Sequence, residues 1–245
     1  MLDFEISLLS RFFSFAKQLL SARWRGLLLL LLGVGLPLLA VEELAIAIFQ
    51  SGGFLWDEPL LLAVHSVTNA RLDRFAKIFT KFGVYLGVFP ASVALSLLLL
   101  QLRKWRSLLY FNAVMIGSMI LNRTAKAYWH RSRPSLWEWP VSEIDFSFPS
   151  GHAMSSMSFV AALLILTWGS RWFGLTLAAG SVFVVSIAWT RLYLGVHFPS
   201  DILAGWLVSI AWAIGLCALI RPHLVAPAAS ETELTTQEEE SIATQ

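Results

Sequence analysis

Charged residues are scarce in this chain of 245 residues, since aspartate, glutamate, lysine and arginine together make up only 14% of it. A soluble globular domain carries about a quarter. Hydrophobic residues make up 57% of the chain, and the mean hydropathy is +0.67. These values exclude an ordinary soluble domain and predict an integral membrane protein.

Cysteine is nearly absent, and there is no large excess of positive charge. The single cysteine, Cys217, lies inside an apolar run, so the chain can form neither an intrachain disulfide nor a cysteine-based metal site. The formal net charge is +2, and the basic residues lie between apolar runs instead of forming a stripe. We therefore expect no nucleic-acid partner.

Long uncharged apolar stretches occupy most of the chain. Each has close to the length of about 20 residues that an α-helix needs to cross a bilayer, although the first and third are short. The stretches are residues 26–41, 83–102, 107–122, 153–168, 172–190 and 202–220. The predicted fold class is therefore all-α, an integral membrane bundle of six transmembrane helices.

The composition divides the chain into three regions. Residues 1–25 mix large apolar side chains with arginine and lysine, which favours an amphipathic cytoplasmic leader in the membrane interface over a merely solvated one. Residues 26–222 form the six-span domain, in which the first stretch is interpreted as an uncleaved anchor and 42–82 as a loop with one or two short helices and no evident chemistry. The low apolar content and the glutamates of residues 223–245 predict a disordered acidic tail.

Basic residues in the short loops predict the orientation in the membrane. One side of the predicted bundle carries Arg103, Lys104, Arg106, Arg171 and Arg221. We therefore expect that side to be cytoplasmic, in a multi-pass protein of the cell membrane. Basic residues before the second stretch and after the third count against this orientation. With six spans, the connections 123–152 and 190–201 share the outer face.

These two outer connections carry the unusual polar residues, and a cluster of ionisable groups at span ends indicates function. Lys126 and Arg133 are seven residues apart, two helical turns, so they point to one side if the third helix continues outward to Pro134. Two convergent cations suit a phosphate dianion. Arg123 and Arg131 are interpreted as membrane-surface cations without a catalytic role.

A second candidate site element opens the fourth apolar stretch. Ser150, Gly151 and His152 stand at the predicted helix start, where free backbone N–H groups and the helix dipole favour an anion. A serine and a glycine there are more often a simple helix cap. Their coincidence with the two cations favours a phosphate site.

A third element begins the sixth stretch. His197 and Asp201 are four residues apart, a spacing that places both on one helical face, and Pro199 is tolerated within the first turn. A carboxylate on one imidazole nitrogen raises the basicity of the other, as a nucleophilic histidine requires. Capping by Asp201 is the alternative. A second histidine-rich helix is missing from the sequence, so we expect no catalytic metal.

At these residues the chain resembles the type 2 phosphatidic acid phosphatase family, the membrane branch of the superfamily of soluble acid phosphatases and vanadium haloperoxidases. The family signature reads Lys-x6-Arg-Pro, Pro-Ser-Gly-His and Ser-Arg-x5-His-x3-Asp. The matching positions are Lys126 through Pro134, Pro149 through His152, and Arg191, His197 and Asp201. Thr190 replaces the usual serine and keeps its hydroxyl. Three ordered motifs make the resemblance specific, and the six apolar stretches extend it over nearly the whole chain.

The resemblance implies hydrolysis of a phosphate ester through a phosphohistidine, without a metal or other cofactor. In that scheme His197 attacks phosphorus, Asp201 holds its imidazole, and His152 protonates the leaving oxygen and then activates water. The residues implied in binding the phosphate oxygens are Lys126, Arg133, Ser150, Gly151 and Arg191.

The apolar setting predicts an amphiphilic partner in the bilayer, a lipid phosphate or diphosphate such as phosphatidic acid, phosphatidylglycerophosphate or undecaprenyl diphosphate. Trp137 and Trp139 suit either headgroup depth or loop packing. A phosphotransferase with the same intermediate is the nearest alternative, followed by a lipid transporter or binding protein. No oligomeric state is predicted.

Overall fold

The computed structural model describes residue 24 and residues 26–137 and 145–222. Within these ranges every regular element is a helix. The predicted tail, and the predicted leader apart from Trp24, lie outside the described residues. The α-helices are α1 (Gly26–Ser51), α2 (Asp57–His65), α3 (Ala70–Phe79), α4 (Val88–Gln101), α5 (Trp105–Trp129), α6 (Gly151–Leu166), α7 (Phe173–Tyr193) and α8 (Pro199–Ile220).

Four helical stretches of the described ranges are long and apolar enough to cross a membrane. They are Gly26–Ser51, Ala70–Gln101, Phe173–Tyr193 and Pro199–Ile220. The helix α5 has 25 residues but carries three cations, and α6 is apolar but has only 16 residues. The chain is therefore a helical membrane protein, and the count of six spans stays a prediction.

The first helix is longer than the sequence predicted. Glu42 and Glu43 interrupt the uncharged run, but α1 continues past them to Ser51 and includes a five-residue π-helical segment at Leu31–Gly35. Gly52, with φ +78°, ends it in the left-handed conformation that glycine adopts at low cost. The two short helices expected within residues 42–82 are α2 and α3.

The helix α6 lies at the centre of the bundle. It packs against α5, α7 and α8, while α1 packs against the far side of α8. Small residues on its surface allow this close packing, since Ser156 and Ser158 are fully buried and Ser158 donates a hydrogen bond to Ser118 of α5 at 2.8 Å. Buried side chains of α4, α5, α6 and α8 form one hydrophobic core, namely Leu99, Tyr110, Phe111, Val114, Ala162, Leu166 and Ala213.

Two contacts join the start of α6 to the start of α8. The backbone N–H of Ser150 donates to the carbonyl of Asp201 at 3.1 Å. A Cβ on Gly205 would lie 3.1 Å from the carbonyl oxygen of Ser150, so the close approach of the two helices depends on this glycine. These contacts place the two histidine motifs beside each other.

Candidate active site

The residues predicted for the site converge at one end of the bundle, where α5 and α7 end and α6 and α8 begin. Six of them are buried: Lys126, Arg133, Ser150, Arg191, His197 and Asp201. Gly151 and His152 are partly buried. Three cations at such depth require anionic or carbonyl partners, because an unpaired buried charge is strongly destabilising.

The imidazole of His197 is held between a carboxylate and a guanidinium. Its Nδ1 lies 3.4 Å from Oδ2 of Asp201, and its Nε2 lies 3.1 Å from Nη1 of Arg133. The predicted pairing is present, but the predicted shared helical face is wrong, because α8 begins only at Pro199. Asp201 lies in the first turn and accepts the backbone N–H of Phe198 at 2.9 Å, so cap geometry brings the carboxylate back to His197.

Arg131 is part of the site, and its interpretation as a membrane-surface cation is wrong. Only 7% of the residue is exposed. Its Nη1 donates to Oδ1 of Asp201 at 2.6 Å and to Ser200 at 2.8 Å, and its Nη2 donates to Asp57 at 2.9 Å. The guanidinium also lies over the ring of Phe198, 4.3 Å from its centroid. Arg131 thus supports the carboxylate that supports His197.

Asp57, the first residue of α2, completes this buried network, although the sequence analysis found no evident chemistry in residues 42–82. Its carboxylate accepts the backbone N–H of Ser200 at 3.0 Å and the Ser200 hydroxyl at 2.7 Å. A Cβ on Gly53 would lie 2.5 Å from Arg131 Nη2, so the chain passes over the guanidinium where only glycine fits.

Ser147 is a further site residue that sequence reasoning missed. Its hydroxyl donates to Oδ2 of Asp201 and lies 3.4 Å from Nδ1 of His197. Its backbone N–H donates to the carbonyl of Arg131 at 2.9 Å, which ties the two segments together. The hydroxyl shares the carboxylate oxygen that faces the imidazole and therefore helps to fix the orientation of both groups.

Lys126 and Arg133 converge as predicted, but not through helical periodicity. The helix α5 ends at Trp129, and His130 adopts a left-handed conformation with φ +45°, so Arg133 follows a chain reversal. Both cations bind Asp145: Lys126 Nζ lies 2.6 Å from Oδ2, and Arg133 Nη2 donates to Oδ1. Asp145 is a fourth site residue that the sequence did not predict.

The charges around Lys126 and Arg133 favour a neutral His197 imidazole and an ionised Asp145 carboxylate. Burial, followed by the charges of Arg133 and Arg191, holds the pKa of His197 well below its usual value. Burial alone would raise the pKa of Asp145, but the hydrogen bonds and charges of Lys126 and Arg133 outweigh it, and the pKa is lowered. A neutral His197 accepts from the Arg133 guanidinium at Nε2, and this lone pair can attack phosphorus once the guanidinium turns to a bound phosphate.

The first backbone N–H groups of α6 are not capped by the side chain of Ser150. Ser150 is the N-cap residue, yet its hydroxyl caps no backbone N–H group, and Oγ is buried without a hydrogen-bond partner. The carbonyl of Pro149 accepts from Asn122 at 3.0 Å, which fixes the turn before Gly151. His152 lies in the first helical turn, within electrostatic reach of Arg191 and His197. A buried hydroxyl and a helix N-terminus together form an anion site.

Arg191 closes the remaining side of the site from the end of α7. It is 1% exposed, and its Nη1 donates to the hydroxyl of Thr80 at 3.0 Å. The neighbouring Thr190 directs its hydroxyl to the carbonyl of Ile187 in its own helix at 2.6 Å. Thr190, which replaces the serine of the motif, therefore uses its hydroxyl for a hydrogen bond within its own helix.

The aromatic residues beside the site are only partly described. Trp137 stacks on His65 with ring centroids 3.8 Å apart, which fits the alternative of loop packing. Trp139 lies outside the described residues. In the part of the chain that the structure describes, no group of three or more histidine, cysteine, aspartate and glutamate residues is placed to hold a metal ion.

Known proteins share this sequence pattern. The model of the PAP2 superfamily matches residues 107–224. Phosphatidylglycerophosphatase B of Bacillus subtilis is 30% identical over 169 residues, which cover 66% of this chain and 82% of that protein. Phosphatidylglycerophosphatase B of Escherichia coli K12 is 35% identical over 102 residues, and the match spans only 40% of the length of either protein.

A solved structure shares the fold as well. The crystal structure of a transmembrane PAP2-type phosphatidylglycerolphosphate phosphatase from Bacillus subtilis superimposes with a TM-score of 0.67 at 26% sequence identity. The match covers 76% of this chain and 94% of the Bacillus chain. The family match contains most of the buried site, and the structural match extends to most of the bundle. The chain belongs to the PAP2 superfamily.

Proposed function

We propose that this protein is a membrane lipid phosphatase that hydrolyses a phosphate or diphosphate ester through a phosphohistidine on His197. One observation carries the proposal: Nδ1 of His197 faces a carboxylate, and Nε2 lies 3.1 Å from the Arg133 guanidinium. A phosphate bound by the cations would therefore present phosphorus to Nε2. Membership of the PAP2 superfamily supports the same chemistry.

In the first step, Nε2 of His197 attacks phosphorus in line, and the bond from phosphorus to the leaving oxygen breaks. His152 donates a proton to that oxygen, so the lipid leaves as an alcohol, or as a phosphate if the substrate is a diphosphate. The phosphoimidazole acquires positive charge, which the Asp201 carboxylate stabilises. The Ser147 hydroxyl and the Arg131 guanidinium hold that carboxylate in position.

In the second step, water attacks the phosphohistidine. His152 accepts a proton from the water, the bond between Nε2 and phosphorus breaks, and inorganic phosphate leaves. General acid and base help of this kind typically contributes about 10²- to 10⁴-fold. Loss of His152 is therefore expected to slow the reaction, whereas loss of His197 removes the atom that becomes phosphorylated.

The transferring phosphoryl group needs charge stabilisation more than covalent help. Lys126, Arg133 and Arg191 supply the cations, and Ser150 Oγ with the N–H group of Gly151 supplies neutral donors. The unpartnered Oγ of Ser150 supports this assignment, because a buried hydroxyl without a hydrogen bond is costly unless a ligand satisfies it.

We assign the substrate to the bilayer. The relatives in Bacillus subtilis and Escherichia coli are named phosphatidylglycerophosphatases, which makes phosphatidylglycerophosphate the first candidate. Phosphatidic acid and undecaprenyl diphosphate present the same terminal phosphate chemistry. In each case the charged headgroup would bind at the helix ends while the tail stays in the membrane.

We further propose six spans: α1, α4, α5, α6, α7 and α8. Short loops join α4 to α5 and α6 to α7, so these neighbours run antiparallel. The cations of the short loops support an active site on the outer face of the cell membrane. Residues 1–25 would then be a cytoplasmic leader and residues 223–245 a cytoplasmic tail.

Phosphate release by the purified protein in detergent tests the proposal. The three lipids are offered in parallel with excess EDTA, beside the variant His197→Ala. We expect EDTA-resistant release that the variant lacks, together with acid-labile ³²P label on the wild-type protein only. The matched control is His130→Asn, since His130 is exposed and asparagine tolerates its left-handed conformation.

Equal release by wild type and His197→Ala would overturn the mechanism. Acid-labile label without free phosphate would instead favour a phosphotransferase, because only the acceptor of the second step differs. Binding of the lipids without label or release would favour a transporter or binding protein.

A further inference from the structure

One charged group in the site has no place in the proposed chemistry. Asp145 follows residues 138–144, which lie outside the described part of the chain, and precedes the Pro-Ser-Gly-His motif. Its carboxylate binds both Lys126 and Arg133. Those two cations are the ones assigned to the substrate phosphate. A negative group of the protein therefore already occupies donors that the reaction requires.

The carboxylate lies close to the nucleophile. Arg133 donates to Asp145 with Nη2, while Nη1 of the same guanidinium lies 3.1 Å from Nε2 of His197. A phosphate in position for attack would contact the same guanidinium fork. Asp145 and the incoming phosphate therefore compete for the same donors.

Burial separates Asp145 from the other charged groups of the site. Its side chain is 53% exposed, whereas those of Lys126 and Arg133 are 9% and 3% exposed. The carboxylate can therefore turn into water and stay solvated, whereas Lys126 and Arg133 stay buried beside the carbonyl oxygens of Phe146 and Val196. The two cations cannot leave and must find another anion.

We propose that Asp145 is a displaceable counter-anion that determines which phosphates the site accepts. The proposal rests on the phosphatase function above and deepens it. A carboxylate carries a single negative charge, so a terminal phosphate dianion or a diphosphate displaces it more readily than a phosphodiester monoanion does. Asp145 thereby selects terminal phosphate esters against the diester headgroups that are abundant in membranes, and it speeds release of inorganic phosphate after hydrolysis.

The test is calorimetric titration of the full-length protein in detergent with inorganic phosphate, for wild type, Asp145→Asn and Asp145→Glu. We expect Asp145→Asn to bind phosphate about tenfold more tightly, the combined size of two partly exposed ion pairs. Asp145→Glu should bind as weakly as wild type, because it keeps the competing charge. Glu58→Gln, an exposed neutralisation outside the site, controls for net charge.

Steady-state kinetics give the second readout. In Asp145→Asn the KM for the preferred lipid should fall and inhibition by phosphate should strengthen, while kcat stays equal or falls as product release slows. A higher KM, or phosphate affinity that is unchanged or weaker, would overturn the proposal and make Asp145 a positioning residue for the cations. Calorimetry needs no turnover, so failure of the phosphatase function and failure of this inference remain distinguishable.

Discussion

Two arginines that stand two positions apart, Arg131 and Arg133, form ion pairs of opposite character. Arg131 binds Asp57 and Asp201, and all three side chains are at most 5% exposed. Arg133 binds Asp145, whose side chain is 53% exposed. Removing one partner of a buried pair leaves a charge without water, whereas a partly exposed pair opens at little cost. The buried network can hold His197, the proposed nucleophile, in position, and the open pair can be displaced by a substrate.

We expect the largest effect from Arg131→Met, which tests whether the buried network orients His197. The change leaves the carboxylates of Asp57 and Asp201 buried without their cation, which typically costs about 3–5 kcal/mol. We expect a lower melting temperature in detergent and nearly complete loss of phosphate release. Arg123→Met, an exposed cation of α5, is the matched control and should behave as wild type. Normal activity in Arg131→Met would show that the buried network does not orient His197.

A smaller effect is expected from Ser147→Ala. The hydroxyl donates to the Asp201 oxygen that faces His197, and a hydrogen bond to a charged group is worth about 1.5–3 kcal/mol. We expect kcat to fall by about one to two orders of magnitude with KM nearly unchanged, because the Ser147 hydroxyl acts on Asp201 and His197. Steady-state kinetics measure the split, with Ser66→Ala as an exposed control. A change confined to KM would contradict the positioning role.

The smallest expected effect is the pH dependence of stability that comes from His197, which belongs to the buried network. Because the folded pKa of His197 lies well below its usual value, the imidazole should stay neutral as the pH falls from about 7.5 to about 6. The unfolded chain takes up a proton there, so the stability tied to His197 should decrease as the pH falls below about 6.5. Imidazole ¹⁵N shifts, assigned with His197→Gln, test the first point. Protonation near pH 6.5 would contradict it.

Asp145 should respond in the same sense, but at lower pH. Its folded pKa is lowered, so the stability from its ion pairs is present above the unfolded value and is lost only as the pH falls through the folded one. Between about pH 6 and pH 7.5 the open pair is therefore expected to remain charged. Within that window, changes in phosphate affinity report on the substrate and not on Asp145.

Local patterns predicted the helices well because an apolar run long enough to span a bilayer has few alternatives to a helix. Each of the six predicted stretches lies largely in one helix, although α4 begins only at Val88 and α6 ends at Leu166. The end of α1 could not be predicted from apolar runs alone. Glu42 and Glu43 end the uncharged run, yet glutamate is a good helix former and the helix continues to Gly52.

The motif residues of the site could be predicted, but their local geometry could not. A spacing of four at His197 and Asp201 suggested a helical face, and the structure uses it as a helix cap. A spacing of seven at Lys126 and Arg133 suggested two helical turns, and the structure uses a chain reversal. A spacing fixes which residues can meet, whereas the backbone path between them depends on where the helix ends.

Arg131, Asp57, Ser147 and Asp145 were missed because their contacts are set by packing between distant segments. The usable signal was the count of charges: the four cations between residues 123 and 133 need anionic partners if that connection is buried. Asp57 and Asp145 are acidic residues of the segments between the apolar stretches and were available for that role. Loop cations were instead assigned to the membrane surface, which solvates them at little cost.

The contact between Asp57 and Ser200 joins residues 143 positions apart. During translation Asp57 is synthesised long before α8. Arg131 is also synthesised before Ser200 and Asp201, the residues that it binds in the folded protein. His152, the proposed general acid, and Lys126 can be inserted in the membrane before His197, the proposed nucleophile, has been synthesised. Catalytic competence should therefore appear abruptly during biogenesis, when the last helix packs, and a protein truncated before α8 should be inserted yet inactive.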